Sequence, residues 1–154
     1  MSDKIRGAVF NMLGDIEGLT VLDAFAGSGA VSFEAISRGA KNALLIELDK
    51  SAYLTIKQNI TSLGMDEFIS VIRGNIKGWS NNNPDKKFDI IVCDPPYDAV
   101  LEILIHKIAR HVANSGTLVV SWPASEPIPV IPNMQMLRHK TYGNATLVIY
   151  QKSG

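Results

Sequence analysis

The stretch "FDIIVCDPPYDAV" (residues 88–100) runs an apolar segment into Asp94, Pro95, Pro96 and Tyr97. A turn needs one proline, seldom two, and has no use for the acid or the ring. A carboxylate and a proline carbonyl can together hold both hydrogens of an amine, and the prolines bring no N–H of their own to compete. An exocyclic nucleobase amine is a poor nucleophile because its lone pair is delocalised into the ring. Two acceptors, Asp94 Oδ and the Pro95 carbonyl, can draw that nitrogen toward tetrahedral geometry and aim the lone pair. Tyr97 offers a face for a base taken out of its stack, a contact worth ~1–3 kcal/mol.

Three further stretches describe a nucleoside pocket. "DAFAGSGA" (23–30) places Gly27 and Gly29 one residue apart, so the backbone turns tightly and a ligand can approach the main chain. The N–H groups of the helix that follows point at the same spot. Glu47, at the finish of "LLIELD", can accept from a ribose diol, while Asp49 reads as the N-cap of the next helix. Asn75 in "RGNIKGW" could face an adenine edge or merely cap a turn. Two ligands fit such a pocket, a nicotinamide dinucleotide or S-adenosylmethionine. A dinucleotide site usually has a third glycine where this chain has Ser32, and Asp23 suits an ammonium group but not a pyrophosphate. The balance favours S-adenosylmethionine.

These tips need elements to hold them. "SDKIRGAVFNMLG" has helical spacing, with Ser2 as N-cap and Gly14 as stop. Strands are expected at "LTVLDA", "NALLIELD", "FISVIRGN", "FDIIVCD" and "GTLVVSW". Helices are expected at "GAVSFEAISRG", "KSAYLTIKQNITSLG" and "YDAVLEILIHKIARHV", with "NNNPDKK" a polar loop. "MQMLRHKTY" and "ATLVIYQK" close the chain as a hairpin. The alternation predicts an α/β fold: a doubly wound, Rossmann-like sheet of seven strands, mostly parallel, with the last strand antiparallel. Such sheets bind ligands at the carboxyl ends of their strands, beside the switch in strand order.

At 154 residues the chain reads as a single domain, 1–154, with no repeat or composition shift. Fifteen basic and fifteen acidic residues cancel, so any nucleic-acid surface has to be a local patch. Lys4, Arg6, Lys140 and Lys152 are candidates for one, with scattered solvated charges as the equal alternative. One cysteine, no apolar span and no signal-like start point to a cytoplasmic protein with no membrane partner. His106, His111 and His139 lack metal-ligand spacing, no metal is expected, and Cys93 reads as packing.

The chain resembles the bacterial 16S ribosomal RNA guanine-N2 methyltransferases usually called RsmD. The likeness is carried by "SDKIRGAVFNML", "VLDAFAGSGAVSFEAISRGA", "IELDKSA", "DPPYDAVLEIL" and "YGNATLVIYQK". It implies S-adenosylmethionine held by Asp23, Phe25, Ala26, Gly27, Ser28 and Gly29, with ribose on Glu47 and adenine near Leu48, Asn75 and Ile76. It implies a target guanine against Asp94, Pro95, Pro96 and Tyr97, and ribosomal RNA or the small subunit as partner, with a monomer favoured. The helix within residues 1–14 would cover the cofactor. A DNA adenine-N6 methyltransferase, a nicotinamide oxidoreductase and a catalytically silent cofactor-binding RNA or assembly factor are the rivals. The DNA enzymes normally carry a target-recognition insert that this sequence lacks.

Three departures stand out. Family members usually open with a basic, glycine-rich segment and an Arg-Pro-Thr stretch, whereas this sequence starts at Met-Ser-Asp-Lys, so either it is truncated or an RNA-gripping arm is missing. Gly7 replaces a usual glutamate inside a helix, at a cost of ~1 kcal/mol. Asn75 replaces a usual aspartate.

Overall fold

The computed structural model describes residues 1–96 and 102–154. Tyr97 lies outside the described residues, as does the start of the helix expected there. Helix α1 (Asp3–Leu13) opens on the Ser2 side chain, which accepts from the Ile5 N–H at 3.2 Å, and ends at Gly14. There follow β1 (Thr20–Asp23), α2 (Ala30–Ser37), β2 (Asn42–Glu47), α3 (Lys50–Ser62) and β3 (Ile69–Arg73). The chain continues through α4 (Ile76–Asn82), β4 (Phe88–Cys93), α5 (Glu102–Ala109), β5 (Val112–Pro123), β6 (Met134–Tyr142) and β7 (Ala145–Lys152).

The described strands form a seven-stranded sheet in the order β3-β2-β1-β4-β5-β7-β6. β1 to β5 run parallel, and β7 slots antiparallel between β5 and β6. The expected α/β sheet with its reversed last strand is therefore present. Alternate residues of the central strands feed two cores. Leu22, Ile91, Leu118 and Val120 pack with Trp79, Ile105 and Ile108 on the α4–α5 face. Val21, Ile90, Val92 and Val119 pack with Val9, Phe10, Ile56 and Ile60 on the α1–α3 face. The strands are apolar on both sides because both sides are covered.

Two boundaries differ from the sequence reading. β5 begins at Val112 rather than Gly116, because Val112 pairs with Phe88 across an irregularity in the β4–β5 ladder. Before the expected loop at 81–87 lies a helix the sequence reading did not assign, α4, which takes in the first two residues of that loop and is too short for a clear 3.6 period. Burial of Ile76, Trp79 and Ser80 holds it down.

α4 is fastened to the core by His111, which is 1% exposed. Its Nδ1 lies 2.7 Å from the Lys86 carbonyl, which can only accept, so Nε2 accepts from Ser80 Oγ at 2.7 Å. Burial, first among its causes, pushes the His111 pKa below the ordinary 6.5. The unfolded chain then binds the extra proton more readily, so this residue's stabilisation is lost as pH falls below about 6.5. His111→Gln should flatten the acid limb of a melting-temperature profile relative to wild type. Parallel profiles for the two proteins would remove His111 from the explanation.

Candidate active site

The order of strands explains what meets at the carboxyl edge. The chain winds from β1 outward to β3, then returns to lay β4 on the other side of β1. The crevice opens where β1 and β4 diverge, and Asp23 (paired with Val92) and Asp94 stand on its two lips. After β1 the backbone crosses toward β2, with Ala24 N donating to Val92 O at 3.0 Å and Ala26 N donating to Ile46 O at 3.0 Å.

The two glycines of the loop have separate jobs. Gly29 has φ +81°, and a Cβ there would meet Phe33 at 3.0 Å and Leu45 at 3.3 Å, so this glycine lets α2 seat on the sheet. Gly27 has φ +59°, and a Cβ there would meet nothing within 4 Å, because its surroundings are the cavities themselves. Gly29→Ala should therefore lower the melting temperature by several degrees, and Gly27→Ala should weaken ligand binding more than it weakens the fold. Calorimetry on both variants checks this; the reversed ranking would refute it.

Glu47 ties the loop to β2. Its Oε1 accepts from Gly27 N at 2.7 Å and its Oε2 from Asp49 N at 2.8 Å, leaving each oxygen a second acceptor direction. Asp49 caps α3, its Oδ2 accepting from Ala52 N at 2.9 Å, as its position suggested. Asn75 caps α4: Oδ1 accepts from Gly78 N at 2.7 Å. The capping reading of Asn75 is the one seen, with Oδ1 keeping a second acceptor direction and Nδ2 its two donors.

Two cavities result. One of about 660 Å³ is bounded by Phe25, Gly27, Glu47, Leu48, Asn75 and Ile76, and closes on Asp94, Pro95 and Pro96. The other, about 170 Å³, is bounded by Asp23, Phe25, Ala26, Gly27, Ser28 and Asp94, with Met1 and Arg6 from the opening segment. Phe25, Gly27 and Asp94 border both. Every described site residue expected from the sequence borders one cavity or the other except Gly29, which acts from beneath.

Electrostatics divide the two acids. Asp23 is 3% exposed and accepts from Ser32 Oγ at 3.1 Å. Burial, with smaller pushes from Asp94 and Glu47, raises its pKa to about 7. An acid so placed gains from any cation brought beside it. Asp94 is more open, and Met1 of the opening segment lies beside it, its nitrogen 3.1 Å from Asp94 Oδ2. Cys93, fully buried with its thiol pKa pushed up by burial, is packing, as expected. His106 meets the Val130 carbonyl, and no cluster able to hold a metal occurs among the described residues.

Sequence reasoning gave Arg6 only a surface role. In the fold it faces inward, with Nε 3.0 Å from Glu34 Oε1 and Nη1 3.0 Å from Asp3 Oδ1, and it borders the Asp23 cavity. Its helical position beside Val9 and Phe10, which are buried, was the available signal.

A family model described as Conserved hypothetical protein 95 matches residues 1–151. The chain belongs to that family. Ribosomal RNA small subunit methyltransferase D of Haemophilus influenzae is 30% identical over 157 residues, taking in 97% of this chain and 80% of that protein. The protein of the same name from Escherichia coli is 29% identical, over 98% of this chain and 78% of its own length. Among solved structures, a conserved hypothetical protein of Streptococcus pyogenes superposes with a TM-score of 0.86 at 28% identity, covering 96% of this chain and 95% of that one. The likeness to RsmD drawn from the motifs is thereby borne out, and the chain is a methyltransferase of this family.

Proposed function

We propose that this member of the Conserved hypothetical protein 95 family transfers a methyl group from S-adenosylmethionine to the exocyclic N2 amine of a guanine in small-subunit ribosomal RNA. The observation that carries the reading is the position of Asp94 and Pro95: they follow β4 and border the large cavity, and among the described residues Asp94 is the acid that also borders the small one.

The residues suit the cofactor. Asp23 would hold its ammonium group, and Arg6, a basic side chain that lines the same cavity, would face its carboxylate. Glu47 would accept from the ribose, and Leu48 and Ile76 would sandwich the adenine beside the Asn75 amide. Helix α1 would cover the amino-acid end, since Met1 and Arg6 border that cavity. When bound, the cofactor supplies an electrophilic methyl group on a sulfonium.

The chain's own work is positioning. Asp94 Oδ would accept one amine hydrogen and the Pro95 carbonyl the other, and the stiff Pro95–Pro96 turn would hold both acceptors still. Tyr97 keeps the stacking role that the sequence proposes. Asp94 is also the natural first acceptor for the proton the amine sheds.

Calorimetry should show binding of S-adenosylhomocysteine and not of NAD. Radiolabelled transfer into 16S ribosomal RNA or small-subunit particles, followed by nucleoside analysis, should yield N2-methylguanosine. Methylated adenine would overturn the choice of base, and cofactor binding without any transfer would favour the silent assembly factor.

A further inference from the structure

The register of the closing hairpin gathers cations that are scattered in the sequence. Arg138 pairs with Ile149 and Lys140 with Leu147, and directly opposed residues on antiparallel strands share a face. Leu147 and Ile149 belong to the core on the α1 side, so Arg138 and Lys140 rise on that same face, beyond the cover of α1. Tyr142 continues the row and packs on that core. The Lys140 ammonium lies 5.3 Å from the Tyr142 ring centroid, and the Lys4 ammonium, arriving from α1, lies 5.8 Å from it. Among the described residues neither lysine is in an ion pair, and no Asp or Glu occurs in the chain after Glu126. Asp3, the acid next to Lys4, is engaged by Arg6.

We propose that this stripe, Lys4, Tyr142, Lys140 and Arg138, grips the phosphate backbone of a single-stranded RNA segment that flanks the target nucleotide. Two ammonium groups drawn to one ring, neither in an ion pair among the described residues, leave positive charge that a phosphate backbone would balance. Same-face residues on a strand recur every ~6.6 Å, so the row presents repeated contacts along a backbone rather than a pocket for one small anion. The stripe starts at the right place. Tyr142 pairs with Ala145, which pairs with Pro123 at the end of β5, on the sheet edge that bears Asp94. Lys4 stands three residues from Met1, whose nitrogen lies beside Asp94. Of the four basic residues weighed from sequence, Lys4 and Lys140 belong here. Arg6 turns inward, and Lys152 sits at the far end of β7 with its ammonium on the Val112 carbonyl.

The proposal rests on RNA being the substrate, so the test reads the stripe and that premise separately. The probe is a fluorescein-labelled single-stranded RNA of about 12 nucleotides, titrated by anisotropy over a salt series. The triple variant Lys4→Gln/Arg138→Gln/Lys140→Gln alters only exposed side chains, and should bind at least about tenfold more weakly, with the salt slope smaller by about 2. Tyr142→Phe should match wild type, and Tyr142→Leu should bind severalfold more weakly. Lys41→Gln/Lys86→Gln, at the opposite sheet edge, should change little, and S-adenosylhomocysteine affinity should be unchanged throughout. Equal losses in the stripe and control variants would refute the stripe. So would wild-type RNA binding by the triple variant alongside intact methyl transfer, which would leave the enzyme reading standing. Wild type that binds S-adenosylhomocysteine but neither binds nor methylates RNA would overturn both.

Discussion

Asp94→Ala is expected to abolish methyl transfer while leaving S-adenosylhomocysteine affinity within severalfold of wild type. The asymmetry follows from what the carboxylate touches. It borders both cavities, yet the groups placed to grip a nucleoside and an amino-acid end are others: Glu47, Asn75, Asp23 and Arg6. Removing Asp94 takes away one of two acceptors for the target amine, and loss of a positioned polar group at a reacting centre costs on the order of 10²–10³ in rate. A second consequence separates this residue from a cofactor ligand. The Asp94 charge is one of the forces holding the Asp23 pKa up. Its removal should let Asp23 ionise at lower pH, so near pH 6 the variant should bind S-adenosylhomocysteine at least as well as wild type. Loss of cofactor affinity in parallel with activity would make Asp94 a cofactor ligand and overturn the assignment. Asp94→Asn, which keeps one acceptor of the same shape, should fall between wild type and alanine.

How much of this was legible beforehand depended on how local the signal was. The strand–helix alternation needs only nearest neighbours in sequence, and β6 and β7 were read to the residue because each is bounded by turn chemistry and has a plain strand pattern. The strand-end acids were legible for a related reason: a polar residue at the end of a buried strand is conspicuous against its apolar run. Non-local facts were not legible. α4 is a short helix held by burial of Trp79 and by the Ser80–His111–Lys86 bonds, none of which a local period reveals. Asn75 had two readings from sequence, an adenine contact or a cap, and the cap could be seen only once the short helix after it was in place. The two glycines looked equivalent until Phe33 and Leu45 were found behind one and open space beside the other. Arg6 and Lys4, two residues apart on one helix, could be sorted into an inward and an outward role only once Glu34 and Tyr142 had been brought to them.

Asp23 joins fold and function most tightly, and its replacement should move two measurements in opposite directions. Buried without a cation, this acid has its pKa raised from 3.8 to about 7. The folded state therefore binds a proton that the unfolded chain has released, and the stability this lends is full below pH 3.8 and lost as pH rises through 7. Above pH 7 the ligand-free protein carries a buried carboxylate met, among the described residues, by the Ser32 hydroxyl and the Phe25 N–H. Asp23→Asn keeps the shape and removes the charge, so its ligand-free melting temperature should exceed that of wild type at pH 8 and converge on it near pH 5. Ligand affinity should run the other way. The form of Asp23 that attracts an ammonium group is the ionised one, so wild-type affinity for S-adenosylhomocysteine should fall up to tenfold per pH unit below about 7, whereas Asp23→Asn should bind on the order of 10–100-fold more weakly at pH 8 and with little pH dependence. A variant that is more stable, binds less and has lost its pH dependence is what an acid kept for a cation predicts. An acid kept for packing predicts a variant less stable at every pH with its affinity intact, and that result would leave the small cavity without its ammonium partner.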